Sequence, residues 1–471
     1  MPDEAKHKCG VFAVWGPTDS AQLIYMGLHA QQHRGQESAG IAVSNGRSIQ
    51  HHVGMGLVGE VFNAQILQGL EGRGGIGHNR YSTTGSSRVS NAQPLVREYG
   101  GGMQVAVGHN GNLINADRLR ADYESRGHIF TTTTDTEVII HLLSKHHLTN
   151  EDPISAALEH LYGAYSLVFL FHDRIEAARD PWGWRPLVIG RLADGGYCVA
   201  SETVALDTIG AKLVREVEPG EIITVNDEGL SSRRFADAQQ PAHCIFEHVY
   251  FAHSSSRLFG DTVQIARERM GERLAIEAPV EADCVIPMPD SGRSAAMGYA
   301  RQSGLPFREG IVPNRYVGRT FIQPTQAQRD MAVKLKLNVV EAVVGGKRLI
   351  VVDDSIVRGT TTRGKMQQLR NAGASEIHLR ISCPPIRHAC YFGIDFPDPA
   401  QLIANERTVD QIAAYLGVDS LAYLSTEGML SCVSRPPESY CTACFTGEYR
   451  LRPERQVTKL DLERHQLKMF T

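Results

Sequence analysis

In the first half of the chain, apolar and polar residues alternate over short spans, the period of strands with one face buried. These spans are Cys9 to Trp15, Gly40 to Ser44, Gly74 to Arg80, Met103 to His109, Ser166 to His172, Pro186 to Arg191 and Glu221 to Val225. Between them, Ala21 to His33, Ala116 to Arg126 and Thr136 to His147 repeat apolar residues at helical spacing. The mixture predicts an α+β domain with much antiparallel pairing, running to about residue 235. The polar stretch Arg233 to Gln240, closed by Pro241, reads as a linker. From residue 242 the rhythm changes. Continuous apolar runs at Ala282 to Pro287, Arg348 to Asp353 and Glu376 to Ser382 are separated by helical stretches at Ser291 to Gln302 and Thr361 to Asn371. Runs apolar on both faces predict a parallel sheet covered on both sides, hence an α/β domain over 242–471. The last 25 residues read as a charged amphipathic helix.

A chain of 471 residues has room for two or three domains. With 42% hydrophobic and 21% charged residues it can bury a sizeable core, which excludes a disordered or collagen-like chain. A net charge of -4 gives no reason to expect a nucleic acid or an anionic membrane as partner. No run approaches 18 apolar residues and the start lacks the apolar centre of a signal peptide, so a cytoplasmic location is expected. Nine cysteines are too few for a disulfide scaffold of this length, which turns attention to catalysis and metal binding.

The run Arg348-Leu-Ile-Val-Val-Asp353-Asp354-Ser355-Ile-Val357-Arg358-Gly359-Thr360-Thr361 is a buried strand ending in two acids and a small-residue loop that opens a helix. At the carboxyl edge of a parallel sheet, such a loop offers backbone N–H groups and a helix N-terminus to a phosphate. Two adjacent carboxylates beside it suit a ribose diol or a hydrated Mg²⁺, and an Asp pair that only caps the helix is the plainer alternative. The full run resembles the phosphoribosyl pyrophosphate loop of type I phosphoribosyltransferases. The resemblance implies that Asp353 and Asp354 hold ribose hydroxyls and Mg²⁺, and that Ser355, Val357, Arg358, Gly359, Thr360 and Thr361 hold the 5'-phosphate. A second strand end, Val285 to Arg293, has the composition of the pyrophosphate-receiving loop, with Ser291 on the metal side.

Cys9 opens the first strand, where an isolated cysteine is most often a small core residue. Downstream stand Leu28 to Gly40 with His33-Arg34-Gly35-Gln36, Gly77-His-Asn-Arg80-Tyr-Ser-Thr83, Gly108-His109-Asn110-Gly111-Asn112 and Thr134-Asp135-Thr136-Glu137. Together these are similar to the glutaminase domain of class II, N-terminal-nucleophile amidotransferases, which implies an αββα fold over 9–235. It also implies Cys9 as nucleophile, the Asn110 side chain and Gly111 N–H as oxyanion donors, Arg80 for the carboxylate of glutamine and Asp135 for its ammonium. In that chemistry an α-amino group, with a reference pKa of about 7.7 to 8.0, serves as base. Residues 1–8 are then a propeptide that must be removed.

Cys441-Thr-Ala-Cys444 alone is either half of a zinc site or a redox pair. With the segments around Cys244 and Cys390 it resembles the ligand set of a 4Fe-4S cluster in one branch of the amidophosphoribosyltransferases, although four thiolates suit Zn²⁺ equally on physical grounds. Cys383 and Cys432 lie close enough in sequence to exchange with the chosen ligands. The resemblance to that family spans nearly the whole chain. It implies the first committed step of purine synthesis, in which ammonia from glutamine is transferred to phosphoribosyl pyrophosphate, giving 5-phosphoribosylamine, pyrophosphate and glutamate. It further implies purine nucleotide inhibitors, a homo-oligomer, usually a tetramer, and a lid over 314–338 that shelters the ammonia. Three places depart from the family pattern: His253 to Ser255, Pro313, and the tryptophans Trp182 and Trp184. A catalytically silent relative that binds phosphoribosyl pyrophosphate or nucleotides as a regulator is the competing reading.

Overall fold

The computed structural model describes residues 9–81, 85–147, 152–314, 337–394, 399–453 and 462–463. The expected propeptide, most of the expected lid and most of the expected C-terminal helix lie outside them.

Two antiparallel sheets stack in the first half. One has seven strands in the spatial order Lys212–Glu216, Val188–Arg191, Tyr197–Ala200, Gly10–Trp15, Gly74–Arg80, Ser38–Ser44 and Ile49–Met55. The other has six, in the order Gly229–Arg234, Glu221–Asn226, Ile175–Arg179, Gly163–Leu170, Met103–Leu113 and Leu95–Tyr99. Alternation along Gly10–Trp15 explains the layering. Val11 and Ala13 meet Ile76, Ala106, Val168, Ala177 and Ile223 between the sheets, while Phe12 and Val14 pack outward with Ile24 and Leu28 of the helix Ser20–Ala30. The helix Glu137–His147 covers the opposite outer face through Val138, Ile139 and Leu142. The result is the αββα sandwich. Each fully buried Val, Leu or Phe in these layers contributes about 1.5–3 kcal/mol of transfer free energy.

The second half is built on a four-stranded parallel sheet in the order Cys284–Pro287, Arg348–Asp353, Glu376–Ile381 and Ser420–Tyr423. Leu349 to Val352 are all fully buried, as a run without alternation requires.

Among the stretches that differ from the sequence expectation, two show the physical reason. Ile49–Met55 is a strand although its residues are largely polar and partly exposed, because it pairs along its whole length with Ser38–Ser44. The stretch read as a linker begins as a strand, with Arg233 opposite Ile222 and Arg234 opposite Glu221. Arg233 is charged yet ordered there because its guanidinium is held by Asp152 and Glu176.

The halves are joined by buried charge. Arg34 Nη1 and Nη2 donate to the two oxygens of Glu247 at 3.1 Å each, and Arg34 also pairs with Glu202. His253 N and Ser256 Oγ donate to Glu202 at 2.8 and 2.7 Å, so this carboxylate is capped by the first residue of the stretch that departs from the family pattern and by the serine that follows it. All three charged side chains are fully buried. Removing one partner of such a network costs about 3–5 kcal/mol, since the others are left charged and dry.

Candidate active site

Cys9 lies at the mouth of the strand Gly10–Trp15 and is held from both sides. Its carbonyl accepts from Arg34 Nε at 3.1 Å, and its thiol donates to Tyr81 O at 3.4 Å. Burial pushes the thiol up to about 11, against the smaller opposing pulls of the Tyr81 hydrogen bond and the Arg80 charge. Around it, Arg80, Tyr81, Gln93, His109, Gly111, Thr134 and Asp135 enclose a cavity of about 10 Å³.

Arg80 reaches this wall from the end of the strand Gly74–Arg80, pairing with Glu37 at 3.6 Å and donating to Ser86 O at 3.3 Å. Asp135 is buried, which would raise its pKa, yet His109 and the Leu113 N–H, donating at 2.9 Å, hold it below the usual carboxylate range. Asn110 is not among the lining residues. Strand alternation turns it away from His109 and Gly111, and its Nδ2 donates to Ser201 Oγ at 3.4 Å. Gly111 must be glycine, since a Cβ there would stand 1.9 Å from Ala164 O.

The wall is completed from far along the chain. Tyr391 O accepts from Asn112 Nδ2 at 2.9 Å, Phe392 O accepts from Arg185, and Gly393 backs directly onto Gly111. Trp184 stacks on Phe392 with ring centroids 4.3 Å apart, so a tryptophan that departs from the family pattern supports this contact. Near the chain end, Glu463 accepts from Ser86 N at 2.7 Å and Thr133 Oγ1 at 3.3 Å, beside the same chamber.

The segment beginning at Cys390 leads to the other thiols. Cys244 and Cys441 are register partners on two short parallel strands, and Arg387 and His388 N–H groups donate to Cys444 O. Burial raises all four thiols, Cys441 to about 12, and each of Cys390, Cys441 and Cys444 also feels the charge of others in the set. Cys383 is close enough to act on Cys444 as well, whereas Cys432 turns its Sγ to Gly428 O at 3.1 Å. Among the described residues no group of three or more His, Cys, Asp or Glu side chains closes on a single ion.

In the parallel domain, Asp353 ends its strand and its Oδ1 accepts from Asp354 N at 2.9 Å, while Ser355 Oγ donates to Asp354 Oδ2 at 2.5 Å. Burial raises Asp354, opposed first by the hydrogen bond from Ser291, so the two strand ends do meet. Val357 is buried, its carbonyl accepting from Ile403 N at 2.9 Å. Arg358 has a buried Nε without a hydrogen-bond partner among the described residues. Gly359, at φ +80°, starts the helix Thr360–Asn371, which places Thr360 and Thr361 in its first turn.

Sequence reasoning missed Arg267. Its guanidinium is buried, donates to His248 O at 2.7 Å and Ala252 O at 2.8 Å, and is lowered to about 10 by burial while the Asp354 charge pulls it back up. The one available signal was an arginine at an apolar-face position of the helix Val263–Glu277.

The sequence matches a family described as a glutamine amidotransferase domain over residues 78–208. An amidophosphoribosyltransferase of Synechococcus elongatus is 47% identical, covering 98% of this chain and 95% of the relative. The chain belongs to the amidophosphoribosyltransferase family. The family member of Bacillus subtilis is 46% identical over 94% of both chains. The solved structure of the Bacillus subtilis glutamine phosphoribosylpyrophosphate amidotransferase, complexed with ADP and GMP, matches with a TM-score of 0.90 at 45% identity, covering 96% of this chain and 99% of that one. A second solved structure, described as the allosteric regulatory enzyme of purine biosynthesis, also matches at 0.90, with 46% identity and 95% of this chain covered. The glutaminase-plus-phosphoribosyltransferase architecture expected of the family is therefore the one this chain has.

Proposed function

We propose that the protein is the enzyme of the first step of purine synthesis, hydrolysing glutamine at Cys9 and passing the ammonia to phosphoribosyl pyrophosphate. The observation that carries this is one chain that holds both a buried cysteine chamber and, at the carboxyl end of a parallel strand, a two-acid loop opening a helix. The silent-relative reading is disfavoured by the same two sites.

A thiol pushed up to about 11 is almost wholly protonated at pH 7, at a cost to its nucleophilicity. A nearby base removes that cost. Once residues 1–8 are gone, the α-amine of Cys9 is such a base, so removal of this propeptide creates the active nucleophile. Arg80 orients the α-carboxylate of glutamine and Asp135 its ammonium. The thiolate attacks the carboxamide carbon, Gly111 N–H stabilises the oxyanion, and ammonia leaves with a proton from the Cys9 amine. Asn110, as placed here, requires a side-chain turn to contribute to that hole. Water then cleaves the thioester to glutamate.

In the second half, Ser355 to Thr361 seat the 5'-phosphate at a helix N-terminus and Asp353 and Asp354 orient the ribose. The donor set of Asp353, Asp354 and Ser291, two adjacent buried carboxylates met by a hydroxyl, is all hard oxygen and fits Mg²⁺, which would supply positive charge to a departing pyrophosphate. The four thiols fit a 4Fe-4S cluster held by Cys244, Cys390, Cys441 and Cys444, whose mutual charge repulsion a cationic centre relieves. Such a cluster would supply a cross-link, not a reacting centre, which would place this chain in the iron-sulfur branch. Inhibition by purine nucleotides is supported by the ADP and GMP in the Bacillus subtilis neighbour. A homotetramer and a cytoplasmic location complete the reading; among the described residues no helix is long and apolar enough to cross a membrane.

The test is a steady-state assay with glutamine and phosphoribosyl pyrophosphate. Equal release of glutamate and pyrophosphate is expected. Absence of pyrophosphate release would leave the silent-relative reading standing.

A further inference from the structure

The chamber wall holds an imidazole that the mechanism above leaves unused. His109 is 2% exposed and stands two residues before Gly111 on the strand Met103–Leu113, so both face the cavity. Its backbone is clamped, with N donating to Gln93 Oε1 at 2.8 Å and O receiving His78 Nε2 at 2.9 Å. Its ring is oriented as well. Nδ1 lies 3.3 Å from Thr136 Oγ1 and 3.6 Å from Asp135 Oδ1. Nε2 has no hydrogen-bond partner among the described residues, and it lies beside Gly111, 2.9 Å from where a Cβ on that residue would stand.

The surroundings select the tautomer. Asp135 is an acceptor only, and Thr136 Oγ1, which receives Gln93 Nε2 at 2.9 Å, points its own hydrogen towards Asp135 Oδ1 at 3.5 Å. Both groups near Nδ1 therefore accept, which places the imidazole hydrogen on Nδ1 and a lone pair on Nε2.

We propose that His109 Nε2 accepts a hydrogen bond from the carboxamide NH₂ of glutamine and thereby lets the chamber prefer glutamine over glutamate. The inference rests on the glutamine-hydrolysing reading and adds a specificity-determining residue to it. Glutamine and glutamate share length, α-carboxylate and α-ammonium, so Arg80 and Asp135 cannot tell them apart. They differ where an NH₂ with two donors is replaced by a carboxylate oxygen with none. A fixed lone pair rewards the first and repels the second, and a polar mismatch of this kind discriminates more strongly than a change of shape. The same repulsion favours release of glutamate once the thioester is hydrolysed.

The experiment compares His109→Leu, which removes the acceptor, with His109→Gln, whose amide oxygen reaches the region of Nε2. Dissociation constants for glutamine and glutamate are measured by calorimetry in a Cys9→Ala protein produced without residues 1–8, where neither ligand turns over. Melting temperature serves as the folding control. The ratio of glutamate to glutamine dissociation constants is expected to fall at least tenfold in His109→Leu and to recover most of its value in His109→Gln. If His109→Leu does not fold, His109→Asn, whose shorter amide stops at the Nδ1 side, is read in its place with the same expectation. A folded variant lacking the acceptor that keeps the parental ratio overturns the assignment. A wild-type protein that releases no glutamate from glutamine overturns the underlying reading, and the assignment with it.

Discussion

Gly393→Ala tests whether the segment that follows Cys390 shapes the glutamine chamber. Gly393 has φ +97°, and a Cβ built on it would stand 2.9 Å from the Gly111 carbonyl carbon, 3.0 Å from its oxygen and 3.2 Å from its Cα. Ordinary contact begins at 3.4 Å, so the two backbones must separate by about half an ångström. The left-handed conformation adds about 1–2 kcal/mol of strain. In the proposed mechanism Gly111 is the oxyanion donor, and since a misplacement of about 1 Å at a reacting centre costs on the order of a hundredfold, half that shift predicts about a tenfold loss, near 1.4 kcal/mol. The loss should fall on glutamine-dependent synthesis, while ammonia-dependent synthesis, which bypasses the chamber, changes little. Both rates are measured on one preparation, with melting temperature recording the strain separately. Equal loss of the two rates, or a wild-type glutamine rate in a folded variant, would refute the reasoning.

Cys9→Ala should abolish glutamine-dependent synthesis, retain the ammonia-dependent rate and keep residues 1–8 attached; active wild-type enzyme with Met1 or Pro2 at its terminus in intact-mass spectra would contradict the maturation step. Anaerobically purified protein should be brown with about four iron and four sulfide per chain, and zinc in their place would sink the cluster. Cys441→Ser or Cys444→Ser should give oxygen-labile or insoluble protein. Asp354→Asn should slow synthesis with glutamine and with ammonia alike, by about 1.5–3 kcal/mol or roughly tenfold to over a hundredfold, because both routes end at the ribose that this carboxylate orients. An effect confined to the glutamine route would move Asp354 out of the shared site.

The sequence alone determined what depends on neighbours along the chain. The short apolar run of Gly10–Trp15 and the unbroken apolar run before Asp353 are local signals of strands buried on both faces. The phosphate-type loop was legible for the same reason, being one continuous segment from strand to helix. Only the tertiary structure decided what depends on approach between distant segments. Ile49–Met55 carries too little apolar pattern to announce a strand, and its partner makes it one. Arg267 beside Asp354, Gly393 against Gly111, and Arg34 between Glu202 and Glu247 join residues separated by dozens to hundreds of positions. His109 stood in a recognised motif, yet its role depends on which ring nitrogen faces the cavity. That follows from Asp135 and Thr136 closing over Nδ1, a fact of packing that no spacing encodes.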